Sequence, residues 1–247
     1  MIMYIILGIV QGLTEFLPVS SSAHLVILQH LLEVGQQRLA LTVVLHLGTS
    51  LALLVFFFRD ILRMIRKIKF LFLIGIVTVV TGIIGLGLKD FLERSFNSLT
   101  TVGIALIVTG VMLILSRRFI DGQRQMPDIK DAFILGVTQA IAIVPGISRS
   151  GITISTLILR RIEKKISFQF SFVASLPAVL GAGLLEVDKI KTIWNIRPEV
   201  LAVGFITSFL SGILSLYILS KAINKTRLHY FGYYCIILAM VVILFLR

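Results

Sequence analysis

Gly8-Ile9-Val10-Gln11-Gly12-Leu13-Thr14-Glu15-Phe16-Leu17-Pro18-Val19-Ser20-Ser21-Ser22 returns in outline 128 positions later, where Gly136-Val137-Thr138-Gln139 leads to Pro145-Gly146 and Ser148-Arg149-Ser150. Each copy interrupts an apolar helical run with proline and hydroxyl residues. The hydrocarbon core of a bilayer tolerates such non-helical backbone only where protein or a water-filled cavity satisfies its polar groups. Two breaks at matching positions therefore point to one site built from both.

The surrounding sequence belongs in a membrane. Of the 247 residues, 57% are hydrophobic, and the mean hydropathy is +1.01, well beyond what a soluble core requires. Runs long enough to cross about 30 Å of hydrocarbon lie near 40–58, 70–88, 100–116, 168–185, 200–219 and 230–246. They predict six full spans. Segments 2–16, 20–32, 131–144 and 150–159 are apolar but too short to span. These read as half-helices of two re-entrant hairpins, 2–32 and 131–160. The N-terminal run lacks the basic leader of a signal peptide, and cleavage would remove Gln11, so it is expected to stay in the mature protein. The net charge of +12 is spread through loops between spans, which argues against a nucleic-acid partner. The single cysteine, Cys235, lies in the last span and excludes an intrachain disulfide.

Each half then holds one hairpin and three spans, an odd number, so the second half is inserted upside down relative to the first. The expected organisation is an all-α, polytopic inverted repeat in one integrated membrane domain: 1–116, a polar linker 117–130 containing Gly122 and Pro127, and 131–247. On one side of this plan lie sixteen basic residues: Arg59, Arg63, Arg66, Lys67, Lys69, Arg117, Arg118, Arg124, Lys130, Arg160, Arg161, Lys164, Lys165, Lys221, Lys225 and Arg227. The other side holds seven, Arg38, Lys89, Arg94, Lys189, Lys191, Arg197 and Arg247, and Arg149 completes the 24. The positive-inside rule places the sixteen in the cytoplasm, both termini outside, and the first hairpin's entry at the outer face. The two tips meet near mid-membrane.

Arg149 is the most informative residue, because a charge at that depth marks a partner or a function. Ser148 is a natural N-cap, and Arg149 beside free helix N–H groups makes an anion site suited to phosphate or carboxylate. The structural alternative is an Arg149–Glu15 ion pair that ties the hairpins together. In the first copy Ser20, Ser21 and Ser22 stand at the equivalent N-terminus, where they serve either as caps or as chemistry. Gln11 and Glu15, four apart, share a helix face, and His24 follows within the next turn. A carboxylate, an imidazole, hydroxyls and an arginine at one depth suit phosphoryl transfer. Glu15 in an apolar run requires a cation, a proton or Arg149. His24 has the alternative of a backbone carbonyl partner. His46, within the first span, either lines the cavity or makes a polar helix contact. His30 and His229 read as interfacial. Gly75, Gly82, Gly85, Gly87, Gly181 and Gly183 read as sites of close helix packing.

Over essentially its full length the chain resembles the undecaprenyl-diphosphate phosphatase family, also called the bacitracin-resistance proteins. The resemblance rests on Gln11-Gly-Leu-Thr-Glu15-Phe-Leu-Pro-Val-Ser-Ser-Ser22, His24, His46-Leu-Gly-Thr49, Pro145-Gly-Ile-Ser-Arg-Ser-Gly-Ile-Thr153, and Phe170-Ser-Phe172 leading to Pro177. It implies hydrolysis of the terminal phosphate of undecaprenyl diphosphate, which recycles the cell-wall lipid carrier in the bacterial plasma membrane. It further implies bacitracin resistance, a divalent cation (Mg²⁺ or Ca²⁺) and a site open to the outer face. On matching positions it makes Glu15 and Gln11 the cation-binding motif and adds Ser21 and His24 to the catalytic group. By the same resemblance Arg149, Ser148 and Thr153 are expected to hold the diphosphate, and Ser20, Ser22 and Ser150 at the two half-helix N-termini are further substrate-binding candidates. Three departures stand out: Gln11 where some members have glutamate, Ala23 where glycine is usual before the histidine, and Arg160 where glycine is common.

The expected partners are the polyprenyl diphosphate and membrane lipids, and the plan is compatible with a homodimer. The nucleophile is either Ser21, or a neighbouring hydroxyl, activated by His24, or His24 itself. The rival class is a secondary transporter or polyprenyl-phosphate flippase, for which inverted repeats with discontinuous helices are the usual architecture.

Overall fold

The computed structural model describes residues 1–31, 38–88, 98–185 and 197–245, with the side chains at 29–31, 38–40 and 182–185 left aside. Lys89, Arg94, Lys189, Lys191 and Arg247, together with the surroundings of Gly183 and the side chains of Arg38 and His30, lie outside what is described. The first half contains α1 (Ile2–Phe16), α2 (Ser21–Leu31), α3 (Arg38–Phe56), α4 (Phe58–Ile65), α5 (Ile68–Gly87) and α6 (Leu99–Ser116). A 3₁₀ turn, Arg117–Phe119, leads into the second half: α7 (Ile129–Ile141), α8 (Arg149–Leu159), α9 (Lys164–Leu185), α10 (Pro198–Asn224) and α11 (Leu228–Phe245).

Among the described residues the fold is all-helical, apart from one isolated parallel bridge between Arg124 and Ile162. Four helices among the described residues are long and apolar enough to cross a membrane: α5, α6 with its 3₁₀ extension, α10 and α11. The bent pair α3 and α4 makes a fifth if counted as one span, with 70° between its parts. The expected span 40–58 accordingly stops at Phe56, where the chain turns. Large apolar side chains such as Ile68, Phe72, Ile83, Ile237 and Leu244 face outward, whereas Thr49, Thr81, Thr109, Ser208 and Ser215 are buried between helices. This distribution suits a lipid solvent, in which small and hydroxyl residues mediate helix contact. The protein is a multi-pass membrane protein.

Both predicted breaks are present. α1 ends because Leu17, preceding Pro18, adopts φ −61 and ψ 142, the extended geometry that proline imposes on its predecessor. α7 ends at Ile141 rather than 144, since Ile143 N and Val144 N bond three residues back to Ala140 O and Ile141 O at 3.1 Å and tighten the chain into turns. α7 also starts earlier than expected, through a capping box. Asp128 Oδ1 accepts from Asp131 N at 2.8 Å, and Asp131 Oδ2 accepts from Asp128 N at 2.9 Å.

Each hairpin's first arm packs on the other half of the chain. α1 lies along α10, α7 lies along α5, and α6 and α11 pack on each other. Glycine permits the closest approaches. A Cβ on Gly12 would stand 2.5 Å from Ser208 O, and one on Gly110 or Gly232 would stand 2.7 Å from the other's carbonyl. The expected packing role of Gly75, Gly82, Gly87 and Gly181 is not met, because an added Cβ at each finds nothing within 4 Å. Gly75 and Gly82 are two helical turns apart and share the outer face of α5, opposite buried Leu73, Val77 and Thr81. Gly85 alone of that group meets a neighbour, Ile143 Cδ1 at 2.9 Å.

The linker is pinned rather than loose. Arg124 reaches buried Asp131 at 2.7 Å and Asp128 at 3.0 Å, while Arg160 Nε reaches the other oxygen of Asp131 at 2.8 Å. The Asp128 carboxyl is held below the usual carboxylate range, foremost by the backbone N–H of Asp131. Arg160, the departure from glycine, closes this latch at the far end of the second hairpin.

Candidate functional site

Glu15 sits in the last turn of α1, and its two oxygens collect partners from four segments. Oε1 accepts from Arg149 Nη2 at 2.5 Å. Oε2 accepts from Ser21 Oγ at 2.6 Å and from Gln11 Nε2 at 3.0 Å, with His46 Nε2 at 3.6 Å. The Glu15 side chain is only 9% exposed and that of Arg149 18%, so removing either partner would leave a buried charge uncompensated. Phe172 fixes the height of this carboxylate. Its ring meets Phe16 edge-on at 5.7 Å and stacks on Phe57, at the α3–α4 bend, at 5.6 Å.

Arg149 opens α8. Ser148 caps that helix, its Oγ accepting from Gly151 N at 3.2 Å, so the guanidinium stands beside the positive end of a helix. Nη1 donates to Ser175 Oγ at 3.1 Å. Of the five guanidinium N–H groups, these bonds among the described residues use two, and three remain for a phosphate-like anion.

The hairpin tips touch directly. Gly146 N donates to Ser22 Oγ at 3.4 Å, and Ser150 Oγ donates to Leu17 O at 3.3 Å. Ser20 adopts φ +67, a left-handed conformation costly for a residue with a Cβ. In exchange, its carbonyl accepts Nδ1–H of His24 at 2.8 Å. A carbonyl only accepts, so the Nδ1 proton is fixed, and His24 Nε2 faces Tyr234 Oη at 2.7 Å. The expected pairing of Ser21 with His24 is not what the geometry provides, because Ser21 gives its proton to Glu15 instead. One helical turn places Ser21 on the Glu15 side of α2, and His24, three residues on, turns toward α11.

The remaining sequence candidates hold the frame. Ser148 N donates to Thr109 Oγ1 at 2.9 Å, and the same hydroxyl donates to Gly146 O at 3.1 Å. Thr153 is buried and bonds Arg149 O at 2.5 Å and Ser171 Oγ at 2.7 Å. Ser20 Oγ and Ser22 Oγ lie 3.1 Å apart. His46 donates from Nδ1 to Thr42 O at 2.8 Å, so its contact with Glu15 is an ion pair only when the ring is protonated.

Sequence reasoning missed Ser175, Tyr234 and Thr109. Ser175 had a signal: Ser167, Ser171 and Ser175 recur every four residues on α9 and are all buried, a hydroxyl stripe on one helical face. A lone tyrosine or threonine in an apolar span carries no such periodicity.

A hard divalent cation takes oxygen ligands. Gln11 Oε1 is buried without a hydrogen-bond partner and stands four residues from Glu15, so the donor set of Glu15, the Gln11 amide and the Ser21 hydroxyl fits such an ion in kind. Among the described residues no three His, Cys, Asp or Glu groups converge as a metal cluster.

A model of the bacitracin resistance protein BacA family matches residues 4–241, a stretch that contains every site residue above. Among curated relatives, the undecaprenyl-diphosphatase of Alkaliphilus metalliredigens is 40% identical over 98% of this chain and 97% of its own length. That of Carboxydothermus hydrogenoformans is 40% identical over 97% and 95%, and that of Methanosphaera stadtmanae 38% identical over 97% and 96%. With the family match running through both hairpins and their Glu15–Arg149 junction, the chain belongs to the bacitracin resistance protein BacA family.

Proposed function

We propose that this protein is an undecaprenyl-diphosphate phosphatase, a membrane hydrolase that releases inorganic phosphate and returns undecaprenyl phosphate for cell-wall synthesis, the activity behind bacitracin resistance in its family. The observation that carries this is the Glu15 carboxylate bridging Arg149 and Ser21 where the two hairpins meet. An anion holder, a hydroxyl and a base in hydrogen-bond reach are the requirements of phosphoryl transfer.

In the Ser21 route, Glu15 takes the hydroxyl proton as Ser21 Oγ bonds to the terminal phosphorus. The bridging P–O bond breaks, and its electrons leave on undecaprenyl phosphate. Water then adds to the phosphoserine, releasing phosphate and restoring the hydroxyl. In the His24 route, Nε2 either takes a proton from the water whose oxygen bonds to the terminal phosphorus, or itself bonds to that phosphorus and is later freed as water cleaves the N–P bond. In both, the bridging P–O bond breaks with its electrons leaving on undecaprenyl phosphate. The Ser21–Glu15 bond at 2.6 Å favours the Ser21 route. Arg149, released in part from Glu15, neutralises the diphosphate oxygens, and helix N-termini of both hairpins add positive potential. Mg²⁺ or Ca²⁺ held by Glu15, Gln11 and Ser21 would supply further charge neutralisation when bound.

The full architecture belongs to the same reading: six spans and two re-entrant hairpins in an inverted repeat, halves 1–116 and 131–247, both termini outside, the site open to the outer face. The reciprocal packing of α1 on α10 and α7 on α5 supports it. So does the α6–α11 crossing at Gly110 and Gly232. That same exchange between halves favours, as a second reading, lipid translocation on one scaffold.

Phosphate release from undecaprenyl diphosphate, with and without EDTA, tests the proposal on wild type, Glu15→Ala, Arg149→Ala and His24→Ala. Loss in all three variants is expected. An inactive, folded wild type that translocates lipid would favour the second reading.

A further inference from the structure

Tyr234 comes from α11, far in sequence from either hairpin, yet its phenol meets His24 Nε2 at 2.7 Å. The two rings lie nearly parallel, 5° between planes and 5.8 Å between centroids. The next residue, Cys235, donates its Sγ–H to Pro18 O at 3.5 Å. Two consecutive side chains of α11 thus grip the first hairpin, one at its break and one at its imidazole. The height of α11 is set in turn by the close backbone contact of Gly232 with Gly110.

We infer that Tyr234 is a positioning residue for the hydrolysis: its hydroxyl donates to His24 Nε2 and, with Ser20 O on Nδ1, holds the imidazole at both ends in one tautomer and one orientation. The inference rests on the phosphatase reading and, within it, on a His24 route. Ser20 O alone would anchor the ring at a single atom and let it swing about that bond. With Tyr234 in place, the Nε2 lone pair points along a fixed line and is covered by a proton donor. Both His24 routes employ Nε2, so the phenol turns aside when the terminal phosphoryl group or its attacking water arrives. Tyr234 is 45% exposed, which leaves it room to do so.

The test compares wild type, Tyr234→Phe, His24→Ala and the double variant in phosphate release, with ¹⁵N-histidine NMR of the first three. Phenylalanine keeps the ring and its stacking, so any change reports the hydroxyl. Expected is a fall in kcat of about fivefold to tenfold, the worth of one hydrogen bond, with KM unchanged. The His24 Nε2 resonance, identified by its disappearance in ¹⁵N-labelled His24→Ala, should shift in Tyr234→Phe. Tyr234→Phe should add nothing to His24→Ala. An unmoved Nε2 resonance, an unchanged kcat, or a loss confined to KM would overturn the inference. Unimpaired His24→Ala would sink the role of His24 and this inference with it. Impaired His24→Ala beside a fully active Tyr234→Phe would sink the inference alone.

Discussion

The two hairpin breaks share a plan and differ in construction. At the second, Gly146 takes φ +101, open to glycine without penalty. Thr109 satisfies the backbone on both sides of that turn, and the entry to α7 is closed by a capping box. At the first, Ser20 takes φ +67 with a Cβ in place, its cap to Ala23 N is long at 3.4 Å, and α1 begins with no side-chain cap. The braced hairpin presents Arg149, and the strained one carries Glu15, Ser21 and His24. Under the proposed function, the strain falls on the hairpin proposed to carry the reacting groups and the rigidity on the one proposed to bind the anion, a division of labour common at functional sites.

The largest expected effect severs the bond between the two. Arg149→Ala leaves Glu15 as a buried, unpaired carboxylate, which should cost about 3–5 kcal/mol of stability and lower phosphate release by about a hundredfold or more. Thermal unfolding and a phosphate assay on the same preparation check both. A variant as stable as wild type would mean the hairpins do not depend on each other.

Next comes a swap of the turn residues. Gly146→Ser places a Cβ 2.4 Å from Val102 O and 2.6 Å from Ala105 Cβ, besides imposing left-handed strain, so unfolding should shift down by about 1–3 kcal/mol. The reciprocal Ser20→Gly should shift it up by about 1 kcal/mol. Equal effects at both positions would erase the proposed contrast.

The smallest effect concerns the latch. Asp128 is half exposed, and the Asp131 backbone N–H leads in holding its carboxyl below the usual range. A group depressed in the folded state contributes fully above its unfolded value and loses that contribution as pH falls through the folded one. Wild type should therefore melt above Asp128→Asn at neutral pH, with the gap closing in strong acid.

Much of this contrast was legible in sequence. Leu17-Pro18 and Pro145-Gly146 announce the breaks and Ser148 announces the cap, because each is a local rule with a local cause. Arg149 and Glu15 announce costly charges, for which their mutual ion pair is the structural alternative in the sequence. What stayed hidden depended on packing between distant helices. Ser21 and His24 are three apart, and nothing in that spacing says that one turns to Glu15 and the other to Tyr234. The glycines of α5 illustrate the same limit: composition suggests close packing, but only the face they occupy decides whether a neighbour is there. The latch through Arg160 was visible only as a departure from glycine, since its partner Asp131 lies 29 residues away.

If the two hairpins form one site through Glu15 and Arg149, the two side chains must be energetically coupled. A double-mutant cycle of thermal unfolding over Glu15→Gln and Arg149→Gln measures that coupling. The coupling should be about 1–3 kcal/mol, with the double variant no less stable than the worse single one. Losses that simply add would show that the two side chains act apart and that the hairpins do not share one site.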